Sequence, residues 1–149
     1  MENENKMTSF EQMHWESEYS VGVKEIDDQH IELMEKINDL ISRSINNPDD
    51  GVRCFEEMMN AVIERSEIHF RTEENLLQKT DYKVFEDHKK EHDELMAKVE
   101  SIKSEIKKMK VKSDLYNLTT SFREWFLSHI LLYDKEARDS LKAGAGEWK

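Results

Sequence analysis

The chain of 149 residues has one cysteine, one proline and four glycines. A single cysteine, Cys54, cannot close an internal disulfide, so no covalent staple organises the fold and a reducing compartment suits it. With so few turn formers, long periodic runs continue unbroken, which argues against many short strands and for long helices. No apolar run approaches the roughly 18 residues of a membrane span, and no basic-then-apolar signal segment opens the chain. Net positive charge is also missing. Acids number 33 against 22 Lys and Arg, for a formal charge of −11. Nucleic-acid binders are more often basic, so that class is set aside. The expectation is a cytoplasmic protein with no nucleic-acid partner and no membrane insertion.

What is present is helical periodicity. Residues 1–25 are polar and then aromatic (Phe10, Trp15, Tyr19) and read as an N-terminal arm lying on the helices that follow. A first helix is expected after Asp27 as N-cap, with the stripe His30, Leu33/Met34, Ile37, Leu40/Ile41. "NNPDDG" (46–51) signals a loop. A second helix carries Phe55, Met58/Met59, Val62, Ser66, His69, Glu73, Leu76/Leu77, ending in a break near Thr80–Tyr82. A third shows Phe85, His88, His92, Leu95, Val99, Ile102. A fourth, after Ser113 or Asp114, runs Leu118, Phe122, Trp125/Phe126, His129/Ile130, Tyr133/Asp134, Ala137, Leu141. Four amphipathic helices with short connections predict an all-α fold: an antiparallel up-down-up-down four-helix bundle over 26–142, with a flexible tail at 143–149.

The anomaly lies on the apolar stripes. His30, His69, His88, His92, His129 and Glu73 all fall on them, and Asp134 falls at an edge. One histidine on an apolar face is ordinarily a hydrogen-bonded core residue. Five of them with two acids need compensation, because a buried carboxylate without a partner costs several kcal/mol. No Lys or Arg shares these stripes near them, so a bound cation is the economical explanation. His69/Glu73 and His88/His92 are spaced i,i+4 and project from one face each. His129 and Asp134 are spaced i,i+5, which on an α-helix leaves them roughly 140° apart. His14 lies outside the stripes and reads as structural or surface.

Seven candidate ligands exceed the four of a tetrahedral zinc. Calcium and magnesium prefer oxygen donors. Imidazole with carboxylate suits iron, zinc, copper or nickel. Two six-coordinate ions bridged by both carboxylates leave room for a solvent bridge and one open position. "HKKEH" (88–92) also matches the inverted zinc-peptidase pattern with Glu91 as base, but Glu91 lies off the stripe and a short bundle offers no substrate cleft. Ferritin-like di-iron carboxylate sites need two Glu-x-x-His pairs; this chain has only Glu11–His14, in the arm.

"VGVKEIDDQH" (21–30), "HFRTEE" (69–74), "HKKEH" (88–92) and "WFLSHILLYD" (125–134), in this order and spacing, closely resemble the bacterial hemerythrins over about residues 15–137. The related myohemerythrins are a familiar example of this bundle. The resemblance implies two non-haem iron ions with an oxo or hydroxo bridge. His88, His92 and His129 would ligate one, His30 and His69 the other, and Glu73 and Asp134 would bridge. O₂ would bind reversibly at the open position of the second, in a dry pocket whose candidate walls are Trp125, Phe126 and Ile130. Glu74 would be surface or an outer neighbour of the ligands. The chain departs from the family pattern at Phe126 (usually Leu), Arg65 (commonly Tyr) and Lys83 (commonly Pro); Phe126 bears on pocket volume. The implied function is O₂ carriage, storage or scavenging rather than catalysis. The alternatives are an O₂ or redox sensor acting through a protein partner, and a di-iron enzyme reducing nitric oxide or peroxide.

Overall fold

A computed structural model describes residues 12–46, 51–106, 108 and 112–146. Among these residues the regular structure is all helical. A short 3-10 turn, Ser17–Tyr19, precedes four long elements: α1 (Lys24–Ile45), α2 (Gly51–Leu77), α3 (Tyr82–Ile106) and α4 (Lys112–Ser128). The chain then winds through a π-helical turn, His129–Asp134, and ends in α5 (Arg138–Gly144). The fourth expected helix is therefore not uniform.

The stripes of the four helices meet in two separate apolar bodies. The larger gathers Met34, Ile37, Leu40 and Ile41 of α1, Phe55, Met59 and Val62 of α2, Val99 and Ile102 of α3, and Phe122 of α4. The smaller gathers Val21, Val23, Ile26, Leu77, Phe85, Ala137 and Leu141. Chain order fixes the topology. In α1 the small body comes before His30 and the large one after; in α2 the large body comes before His69 and Glu73 and the small one after. The order reverses again in α3 and once more from α4 through the π turn. That alternation is an antiparallel up-down-up-down bundle, and it places every polar stripe residue in one layer between two oily halves.

Two ends depart from expectation. Helix α1 starts at Lys24, so Asp27 is not its N-cap. Instead Asp27 reaches back from the first turn and accepts hydrogen bonds from Val21 N (2.9 Å) and Ser20 Oγ (2.6 Å). The contact ties the entering segment to the first turn of the helix, which takes up the last two residues of the expected arm. At the other end, Gly144 lies against the Leu76 carbonyl and Ala145 packs on the small body, although both were expected in the flexible tail. Trp148 and Phe10 lie outside the described residues. The arm itself is strapped down: Met13 N donates to Asn38 Oδ1 (2.9 Å), Asn38 Nδ2 donates to the Met13 carbonyl (2.8 Å), and Trp15 and Tyr19 pack on the large body.

Candidate metal centre

Each helix delivers part of the polar layer. Helix α1 supplies His30, α2 supplies His69 and Glu73, and α3 supplies His88 and His92. The π turn supplies His129 and Asp134. All seven residues are at most 3% exposed. The π turn resolves the i,i+5 spacing. Its i→i+5 hydrogen bonding brings residues five apart into register, so His129 and Asp134 face the same point despite the misalignment an α-helix would impose.

The ligand atoms form two overlapping groups, within each of which all lie within 4.8 Å of one another: Glu73, His88, His92, His129 and Asp134 in one, His30, His69, Glu73 and Asp134 in the other. Both carboxylates belong to both groups. Asp134 divides its oxygens between them. Oδ1 lies 2.8 Å from His88 Nε2 and 3.1 Å from His129 Nε2, while Oδ2 lies 2.7 Å from His30 Nε2. Glu73 Oε1 lies 3.0 Å from His92 Nε2 and 3.4 Å from His69 Nε2, and its Oε2 lies 4.0 Å from His30 Nε2.

Protein partners alone do not satisfy this layer. His30 Nδ1, Glu73 Oε2, both ring nitrogens of His129 and Asp134 Oδ2 are buried without a hydrogen-bond partner. Asp134 Oδ2 and His30 Nε2 are close enough to bond but not aligned to do so. Each such buried group costs about 1–3 kcal/mol, and more if charged. The atoms converge on common points rather than on each other. His30 Nε2 and His69 Nε2 lie 3.0 Å apart. That is about the separation of two nitrogens held at right angles on one ion at ~2.1 Å. Geometry and donor chemistry therefore both fit a pair of cations.

Left to themselves, the charges compensate one another. Burial and the Asp134 charge would raise the Glu73 carboxyl, but His69, His129 and His92 hold it at about 2. Burial would likewise raise Asp134, yet His129, His30 and His69 hold it well below the usual carboxylate range. Burial would lower His129, but Asp134 and Glu73 raise it to about 10. Burial does lower His69, against the pull of Glu73.

Four neighbours of these seven side chains carried no signal in the stripes. Gln29 Oε1 lies 2.9 Å from His69 Nδ1. The Phe70 ring stacks on His92 at 4.0 Å between centroids and meets His129 edge-on. Glu91 Oε1 stands 4.0 Å from His129 Nδ1, on the outer side of that ring, which removes it from the role of peptidase base. Glu74 is half-buried and its Oε2 lies 2.9 Å from His92 Nδ1. Each adjoins a ligand in sequence, which was the one available clue. His14 is exposed, as is Arg65, which pairs with Glu32 at 3.4 Å.

A cavity of about 30 Å³ opens onto His69 and His129. By volume it holds one or two water-sized molecules. Trp125 and Phe126 line it, joined by Leu33, Ile37, Phe70, Leu95 and Phe122. The side chain of Ile130, the third expected wall residue, lies outside the described set. A larger open groove beside His88, about 430 Å³, is lined by Asp87, Glu91, Glu94 and Glu136 and is too wet to serve as a dry pocket.

A family profile described as "Hemerythrin HHE cation binding domain" matches residues 21–137. The chain belongs to the hemerythrin family. A bacteriohemerythrin of Clostridium acetobutylicum is 32% identical over 130 residues, covering 84% of this chain and 98% of that protein. One from Methylococcus capsulatus is 29% identical over 127 residues, covering 83% and 92%. A myohemerythrin of Theromyzon tessulatum is 23% identical over 120 residues, covering 80% and 86%. The hemerythrin match spans all seven clustered side chains. No described helix is long and apolar enough to cross a membrane.

Proposed function

We propose that the seven side chains hold a pair of iron ions and that this hemerythrin binds O₂ reversibly beside them, for carriage, storage or scavenging. The supporting observation is the sharing of both carboxylates between two histidine groups that border an apolar cavity. When bound, two ferrous ions supply the pair of electrons that reversible O₂ capture requires. His88, His92 and His129 would hold one ion, His30 and His69 the other, with Glu73 and Asp134 spanning both. The second position has one side-chain donor fewer, and its His69 ring borders the cavity. Trp125, Phe126, Phe70 and Leu33 keep bulk water away from that edge. Apart from His69 and His129, Ser66 is the one polar residue among the described lining residues, and a serine hydroxyl is a weak proton donor, so the surroundings favour holding O₂ over consuming it.

The test is to load the purified chain with Fe(II) without air, admit O₂, and follow visible absorption through repeated removal and readdition. A charge-transfer band that rises and falls with O₂, at two irons per chain, is expected. Failure to take up stoichiometric iron, or a band that never reverses, overturns the reading. Steady consumption of nitric oxide or peroxide under a reductant would point to an enzyme instead.

A further inference from the structure

The imidazoles of the two groups differ on their outer sides. His92 Nε2 faces inward, 3.0 Å from Glu73, and its Nδ1 meets the carboxylate of Glu74 at 2.9 Å. His69 Nε2 also faces inward, 3.0 Å from His30 Nε2, but its Nδ1 meets an amide oxygen, that of Gln29, at 2.9 Å. The amide is oriented by its other end. Gln29 Nε2 donates to Thr72 Oγ1 at 3.1 Å, and that hydroxyl donates to the Ile68 carbonyl at 2.9 Å. The relay fixes the Gln29 oxygen toward His69. The outer nitrogen of His30 has no partner at all. With Nε2 turned to the centre in both rings, Nδ1 carries the proton whenever a cation sits inside.

An anionic acceptor draws that proton more strongly than an amide does, and the ring becomes a better donor at Nε2. Both carboxylate ligands are shared, and the third histidine already favours one position. The outer partners widen that difference. We propose that Glu74 and Gln29 are positioning residues that grade the two metal positions: Glu74 strengthens the three-histidine position through His92, and Gln29 leaves the two-histidine position the weaker. This rests on the dinuclear reading above. It implies that the two-histidine position fills last and empties first.

The experiment titrates metal-free protein with Co(II) alone, under argon, by calorimetry and by ligand-field absorption. Wild type, Glu74→Gln and Gln29→Glu are compared, after circular dichroism confirms that each variant folds. Two steps are expected in wild type. Glu74→Gln should weaken the tighter step about tenfold and leave the other within about twofold; Gln29→Glu should strengthen the weaker step about tenfold. A merely structural role would not raise affinity in Gln29→Glu, and that variant decides the matter if Glu74→Gln fails to fold. Steps that stay unchanged, or that move together in either variant, overturn the inference. Fewer than two Co(II) bound by wild type overturns the dinuclear reading itself, and the inference with it.

Discussion

The two oily halves on either side of the polar layer are built differently. In the small one Val21, Ile26, Leu77 and Leu141 expose nothing, and α5 presses so closely on α2 that only a glycine fits at 144. In the large one Trp125, Phe126 and Leu127 are only half-buried, and a cavity of about 30 Å³ lies between the packed aromatics and the histidines. A buried charged layer needs water excluded from both sides, but a ligand must arrive from one. The small half meets the acid-lined groove beside His88 through Val84 and Ala137, whereas the large half offers an apolar approach. On this view truncations in the small half should cost stability without changing ligand behaviour, which should follow the cavity wall in the large half.

The sharpest way to break that contrast is Leu141→Ala, which removes a fully buried side chain remote from the cavity. It should cost about 2–5 kcal/mol in chemical unfolding. Its O₂ release and autoxidation should match wild type; faster autoxidation would show that the small half also gates the site.

The layer between the halves should respond to pH when metal is chelated away. Glu73, held at about 2 instead of 4.5, contributes stability that is full above pH 4.5 and lost as pH falls through 2, about 3 kcal/mol in all. His129, raised from 6.5 to about 10, contributes below pH 6.5 and loses its contribution as pH rises towards 10. Through these two groups metal-free protein should melt highest between about pH 4.5 and 6.5, with the lowered His69 drawing the optimum towards the upper end. A bound cation replaces the His129 proton, so loaded protein should keep its melting temperature above pH 7. A metal-free melting temperature that climbs from pH 6 to 9 would contradict this.

Gly144→Ala tests the packing of the small half itself. A methyl group there would stand 2.2 Å from the Leu76 carbonyl oxygen, a backbone atom that cannot swing aside. Overpacking of this kind costs about 1–3 kcal/mol, more than the roughly 1 kcal/mol that alanine gains over glycine in a helix. A variant more stable than wild type in urea would mean that α5 is not docked as described.

How much of this the sequence revealed depends on period. His30, His69, Glu73, His88 and His92 sit where a 3.6-residue repeat puts core side chains, and so their polarity stood out. Asp134 did not fit, because the π turn that aligns it with His129 leaves no compositional mark. Asp27 was legible as a capping side chain but not as one pointing backwards, since the extended backbone at Val23 already allows the helix to start at Lys24. Gln29 and Glu74 adjoin ligands but belong to other faces of their helices; only the packing of α1 on α2 and of α2 on α3 turns them towards the outer nitrogens. Phe70 was hidden for the same reason.

Phe126 should give the smallest loss of stability and the clearest change at the site. Half-buried, it has less contact to lose than Leu141, so Phe126→Ala should cost about 1–2 kcal/mol, below the range for a fully buried aromatic. Its ring lines the cavity that His69 and His129 border. Removing the phenyl ring enlarges the cavity severalfold and lets water reach His69 and His129. Water brings the protons that the apolar wall withholds, so autoxidation of the loaded, oxygenated protein should accelerate severalfold while the iron content stays the same. Phe126→Leu keeps most of the apolar bulk and should fall between the two. If the alanine variant autoxidises at the wild-type rate while losing more stability than Leu141→Ala, then the large half is the structural one, and the division of labour between the halves is the reverse of that argued from their packing.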